Sequence, residues 1–317
     1  MLQSPKSIIG YIPDFLEYCE LEKGLADQSL KNYAHFLRPF QRWLDKESLI
    51  NLQPHELSPD HIWKYRLFLS RQLKVKKITQ VYYLIALRSL LSYFVEKDIK
   101  SLPQEKIKLP RTFQERQVNF LNLPDIEKLL LAPNVNKKSG LRDRAILETL
   151  FSTGLRVSEL TSLNKNQFNF NKIEKEKPDG MELQIVGKGG YPRTIYFSDR
   201  ALSWLAKFIK TRTDADRSLF INFSKANKGT TRLTPRSVER LVAKYALLAG
   251  LSKKVTPHVL RHSYATDLLT QGVDLRLIQE FLGHRNILTT QVYTHVTKKY
   301  LKEIHKKYHS GQKLKNS

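Results

Sequence analysis

The chain has 317 residues, with 54 Lys and Arg against 30 Asp and Glu for a formal net charge of +24, and 41% of it is hydrophobic. That balance excludes a disordered polyelectrolyte, leaves enough apolar residues for real cores, fits two domains at about 150 residues each, and points to a polyanionic partner. A lone cysteine, Cys19, excludes an internal disulfide and a thiolate zinc cluster.

The N-terminus, MLQSPKSIIGYIPDF, has no signal-peptide core, and the most apolar stretch, 81–94, is interrupted by Arg88 and is too short to span a bilayer. A cytoplasmic protein with no membrane partner is expected. Lys and Arg recur over 64–77, 106–116 and 298–307 instead of gathering on one amphipathic helix. Such dispersal suits a long phosphate lattice better than a membrane surface, and a generic solvated basic surface is the plainer reading.

The first hundred residues read as helices. Leu30, Tyr33, Leu37, Phe40 and Leu44 repeat at three and four, with Pro39 expected to bend or split that helix. Ser58-Pro59-Asp60 supplies an N-cap, a first-turn proline and a first-turn acid for a helix towards Leu73. Thr79 is the expected cap of the next, whose core face is Tyr83, Leu84, Leu87, Leu90, Leu91 and Phe94. Periodicity lapses after Ile99, and 100–120, with two prolines and several basic residues, reads as an interdomain linker between a helical domain at 1–99 and a second domain at 121–299. In that second domain, helices are expected from Pro124 to Leu131 and from Arg142 to Phe151. A β-hairpin follows, pairing Met181 to Val186 with Arg193 to Phe197 across a glycine-rich turn. Helices then run from Thr234-Pro235 to Gly250, from Pro257 to Thr270, from Asp274 to Leu282, and from Thr289 onward. The expected class is therefore mainly α with a small antiparallel β-sheet.

Four stretches carry chemistry: Ser152-Thr153-Gly154-Leu155-Arg156-Val157-Ser158-Glu159-Leu160, Gly187-Lys188-Gly189, His258-Val259-Leu260-Arg261-His262, and Leu282-Gly283-His284 with Tyr293. Singly, each has an ordinary reading. Arg156 and Glu159 can be a surface ion pair, Lys188 a solvated hairpin tip, and Tyr293 a buried, hydrogen-bonded tyrosine. His258 and Arg261, three apart, can share one phosphate. His258 and His262 have a zinc spacing but lack the intervening glutamate and a third ligand. No Walker motif is present, which disfavours nucleotide hydrolysis.

Together and in this order, the four stretches resemble the tyrosine recombinases of the phage integrase family. The run TPHVLRHSYATDLLTQGVDLRLIQEFLGHRNILTTQVYTHV, 256–296, resembles the bacterial Xer recombinases almost throughout. The resemblance implies a helical, SAM-like core-binding domain and an α+β catalytic domain that clamp double-stranded DNA. It implies Arg156, Lys188, His258, Arg261, His284 and Tyr293 as the catalytic set, with Glu159 beside the first arginine. By this likeness Tyr293 attacks the scissile phosphodiester to give a 3′-phosphotyrosyl enzyme and a free 5′-hydroxyl, with no metal, cofactor or ATP. A tetramer working through a Holliday junction, alone or with a paralogous recombinase, is implied as well, in chromosome or plasmid dimer resolution and hence cell division. Three departures stand out: Gly190-Tyr191-Pro192 where polar or basic residues are usual, Arg285 where a small polar residue is common, and Pro39 inside a helix of the N-terminal domain.

The alternatives are an integrase of a mobile element and a non-catalytic helix-turn-helix DNA-binding protein built on 274–283 and the following helix. The latter leaves Arg156, Lys188 and Tyr293 without a purpose. In the basic tail, Tyr300, Leu301, Ile304 and Tyr308 form a narrow apolar stripe, and by the same resemblance 300–317 docks on a neighbouring protomer.

Overall fold

The computed structural model describes residues 2–110, 119–176, 178–187, 191–223 and 231–283. The chain divides into two compact units, 1–115 and 116–317. Lys188, His284, Tyr293, the helix expected from Thr289, the 300–317 tail with its Tyr300, Leu301, Ile304 and Tyr308 stripe, and the 111–118 part of the linker lie outside the described residues.

The first unit holds helices α1 (Ile12–Leu21), α2 (Asp27–Lys46), α3 (Pro59–Leu67) and α4 (Lys77–Glu96). Its core is aromatic and leucine-rich, with Phe15, Leu37, Phe40, Trp43, Tyr65, Leu84, Leu87, Leu90 and Phe94 buried. Pro39 does not split α2, which runs unbroken through it. A proline inside a helix costs about 3 kcal/mol, and each large apolar side chain buried gives back about 1.5–3 kcal/mol. Leu37, Phe40, Trp43 and Leu44 are all buried on this helix and outweigh the penalty.

Ser58 caps α3 as expected, accepting the His61 backbone N–H, while the His61 ring takes the place of the usual glutamate in a capping box. The α-helix stops at Leu67, short of Leu73. A π-turn over Phe68–Gln72 follows, and its wider register keeps both Phe68 and Leu69 buried. Thr79 is not the cap of α4. The helix begins at Lys77, and the Thr79 backbone N–H already bonds Lys76 O at 2.9 Å within the first turn.

At 20 residues, α4 is by length and apolar content able to cross a membrane, so the length ground used above for 81–94 does not hold. Its apolar face instead fills the core of this unit. The segment after Ile99 is also more ordered than a linker: Leu102 and Ile107 are buried in the same core, beyond the expected boundary at 99.

The second unit is organised on α6 (Lys138–Thr153), which starts before the expected Arg142 and is buried on nearly every side. Around it lie α5 (Leu123–Leu131), α7 (Val157–Ser162), α8 (Phe170–Glu176), α9 (Asp199–Lys210), α10 (Pro235–Leu248), α11 (Pro257–Thr270) and α12 (Leu275–Leu282). A helix buried all round must have its polar groups paired. Asp143 accepts from the Tyr245 hydroxyl at 2.9 Å, and Glu148 accepts from Arg144 at 2.8 Å and Arg200 at 3.0 Å.

Strands β1 (Met181–Val186) and β2 (Pro192–Phe197) form an antiparallel hairpin in the register Met181↔Phe197 to Val186↔Pro192. Ile185, Ile195 and Phe197 face the core. Among the described residues the chain is thus mainly helical with one small antiparallel sheet. The cap expected at Thr234 forms, and Thr256 caps α11 in the same way, each hydroxyl accepting from the backbone three residues on.

Candidate active site

The site begins where α6 ends. Gly154 closes that helix in the left-handed region at φ +58°, and a Cβ there would sit 2.5 Å from Cδ1 of Tyr264. Only glycine supplies that backbone conformation without penalty and also leaves room for the ring. The turn delivers Arg156 to the N-cap of α7, where Glu159, three residues on, reaches back to the Arg156 backbone N–H at 2.8 Å.

Glu159 is 7% exposed and is held by two guanidiniums. Arg156 Nη1 donates to Oε1 at 2.9 Å, and Arg193 Nη2 to Oε2 at 2.8 Å. Burial pushes its carboxyl up, but the Arg193 charge, the Arg156 backbone N–H and the Arg156 guanidinium together outweigh burial and hold it below the ordinary carboxylate value. Hence Arg156 is not a free surface ion-pair partner; it is oriented by a buried, ionised acid.

Arg261 rises from α11 and is 5% exposed. Its Nη1 donates to Gly154 O at 2.6 Å and its Nη2 to Leu282 O. Arg156 Nη2 donates to Gly283 O at 3.3 Å, and Arg193 Nη1 to Phe281 O at 2.5 Å. Three guanidiniums therefore take three consecutive carbonyls at the C-terminal end of α12, where helix carbonyls lack intrahelical partners and the helix dipole is negative. Gly283, at φ +61°, ends α12 with its Cα against Arg193; a Cβ there would meet Arg193 Cδ at 2.5 Å.

His258 lies on α11 one turn before Arg261, with an exposed side chain. His262, on the following turn, is pushed down to about 4 by burial, with the charges of His258 and Arg261 adding to the effect. Among the described residues no group of three or more His, Cys, Asp and Glu is placed to hold a metal ion.

Lys188, His284 and Tyr293 are outside the described residues, but Gly187 and Gly283, directly before the first two, are described. Gly187 N bonds Tyr191 O at 2.8 Å, and a Cβ on Gly187 would lie 3.8 Å from Glu159 Oε1. The residues directly before Lys188 and before His284 thus both border the Arg156–Glu159–Arg193 cluster. One member of the cluster escaped the sequence reading, Arg193. Arg193 carried one signal: it has the strand parity of Ile195 and Phe197, so a charge stands on the core face of the hairpin.

Known proteins match along almost the whole chain. The sequence model of the phage integrase family matches 119–300, and that of the phage integrase N-terminal SAM-like domain matches 12–101. Tyrosine recombinase XerD of Lacticaseibacillus casei is 34% identical over 309 residues, covering 95% of this chain and 98% of that protein. Tyrosine recombinase XerC of Thermodesulfovibrio yellowstonii is 35% identical over 310 residues, covering 94% and 96%. In fold, the chain is similar to the XerH site-specific recombinase bound to palindromic difH substrate in a post-cleavage complex, with TM-score 0.74, 22% identity and coverage of 99% and 98%. It is similar too to a lambda integrase dimer bound to a COC' core site, with TM-score 0.67, 14% identity and coverage of 90% and 76%. The order of motifs, the two-unit architecture and these matches lead to one conclusion: the chain belongs to the phage integrase family and is a tyrosine recombinase similar to the Xer proteins.

Proposed function

We propose that this protein is an Xer-type site-specific recombinase that cuts and rejoins duplex DNA through Tyr293. The observation that carries the reading is the convergence of Arg156 and Arg261, both oriented by buried partners, on adjoining carbonyls at the end of α12. Two fixed guanidiniums that share a small space are suited to the nonbridging oxygens of one phosphate, where negative charge gathers in the transition state.

In the proposed reaction the Tyr293 hydroxyl oxygen bonds to phosphorus, its proton passes to His258, and the bond from phosphorus to the 5′-oxygen breaks. Lys188 gives that oxygen a proton, leaving a free 5′-hydroxyl and a 3′-phosphotyrosyl link. His284 donates a further hydrogen bond to the phosphate, and Glu159 keeps Arg156 aimed. The phosphotyrosyl bond retains the energy needed for rejoining, so neither ATP nor a metal ion enters the scheme. The reverse step, with the 5′-hydroxyl of a second duplex as nucleophile, gives a Holliday junction.

A tetramer on two DNA sites, built from this chain alone or with a paralogue, and a cytoplasmic role in resolving chromosome or plasmid dimers complete the reading. The +24 charge and relatives named both XerC and XerD support it.

The test is to lyse cells of the native host under denaturing conditions and sequence the DNA that stays bound to the protein. The wild type is expected to carry one discrete site and Tyr293→Phe none. An equal adduct in both proteins, or none in the wild type, overturns the proposal.

A further inference from the structure

Arg193 stands on the core face of β2, where Ile195 and Phe197 continue the apolar stripe. An apolar side chain there would satisfy the fold at no desolvation cost, yet a guanidinium only 9% exposed occupies the place. Its Nε is buried with no hydrogen-bond partner among the described residues, so the side chain is not placed for its own best pairing. What it does reach is specific. Nη2 bonds Glu159 Oε2 at 2.8 Å, Nη1 bonds Phe281 O at 2.5 Å, and the Cδ methylene lies against Gly283.

Each partner is attached to a different part of the proposed chemistry. Glu159 aims Arg156, the end of α12 directly precedes His284 in sequence, and β2 pairs with β1, which ends two residues before Lys188. We propose that Arg193 is a positioning residue for strand cleavage, tying the hairpin, the Arg156–Glu159 pair and the end of α12 into one arrangement. The inference rests on the recombinase reading and deepens it.

Arg193 also controls how Glu159 shares its oxygens. With Oε2 taken by Arg193, Arg156 holds Oε1 and keeps Nη2 directed at Gly283 O. Without Arg193 the acid and Arg156 close into a single neutral pair, and the largest charge holding Glu159 ionised is gone. Among the described residues the charged groups that face Glu159 are Arg156 from the start of α7 and Arg193 from β2.

The experiment uses the full chain and a nicked suicide duplex carrying the site recovered from the native-cell adducts. Half-site binding, melting temperature and single-turnover cleavage are measured from pH 5 to 9. Arg193→Met is expected to bind DNA within about twofold of wild type but to cleave roughly ten- to a hundredfold more slowly, as a misplaced catalytic group does. Its rate should also fall off at higher pH on the acid side, because Glu159 protonates more readily. Arg193→Lys should restore that acid limb, since it returns the charge. It should leave the rate low, since one ammonium cannot span both Glu159 and Phe281 O.

Cleavage by Arg193→Met within twofold of wild type overturns the proposal, as does a loss of rate that only follows lost melting temperature and leaves the pH profile unmoved. If Arg193→Met does not fold, Arg193→Lys decides: slow cleavage with normal binding supports the role, and a wild-type rate overturns it. Absence of any adduct in the wild type overturns the recombinase reading and this proposal with it.

Discussion

Replacing Gly154 with alanine adds one methyl group at a tightly constrained turn of the second unit. The residue sits at φ +58°, and the new Cβ would be 2.5 Å from Tyr264 Cδ1 and 2.9 Å from Cε1. The left-handed backbone costs an L-residue about 1–2 kcal/mol. Forcing a methyl into an occupied ring contact adds about 1–3 kcal/mol. The combined loss is about 3 kcal/mol, which in a domain of this size lowers the melting temperature by roughly 6–12 °C. The two contributions can be separated. In a Tyr264→Ala background the ring is gone and only the backbone term remains, so Gly154→Ala there should cost about 1–2 kcal/mol. Thermal unfolding of the four proteins of this cycle, followed in the transition of the C-terminal unit, measures both values. A single variant within about 0.5 kcal/mol of wild type, or equal costs in the two backgrounds, would refute the reasoning. The carbonyl of Gly154 also receives Arg261 Nη1, so a shifted peptide should slow cleavage in the surviving folded protein.

Arg261→Lys keeps the charge but cannot reach both Gly154 O and Leu282 O with a planar fork, so single-turnover cleavage should drop by orders of magnitude while half-site binding changes little. A near-normal rate would remove Arg261 from the site. His262, pushed down to about 4 in the folded chain against an ordinary 6.5, stays neutral in the fold while the unfolded chain takes up a proton. Stability should therefore decline as pH falls from about 6.5 to about 4 and level off below. Denaturant midpoints of wild type and His262→Asn, compared across that range, check this: the variant should lack that part of the slope, and parallel curves would count against it.

Local chemistry was legible where the signal is local. The caps at Ser58 and Thr234 and the hairpin registered by alternating apolar residues are all written in a few adjacent positions. Arg156, Glu159 and Arg261 were legible as a motif, and their grouping is a matter of tertiary structure. The split allowed for at Pro39 does not occur, because the local penalty of a proline says nothing of the burial that overrides it. Thr79 misled because a possible cap does not act when the backbone turn is already closed a residue or two earlier. Arg193 was hidden for a stronger reason: its partners Glu159 and Phe281 lie 34 and 88 residues away, and no periodicity spans such distances.

The grip of three arginines on the end of α12 has a further consequence for a molecule that cuts and rejoins DNA. Arg156, Arg193 and Arg261 come from three segments made at different times during synthesis, and the carbonyls they hold come last, at 281–283. A nascent or partly unravelled copy that possesses every one of these side chains still lacks the assembled centre. On the proposed reading such a copy cannot cut DNA, and the fold itself works as an interlock: strand cleavage waits until α7, β2, α11 and α12 have come together.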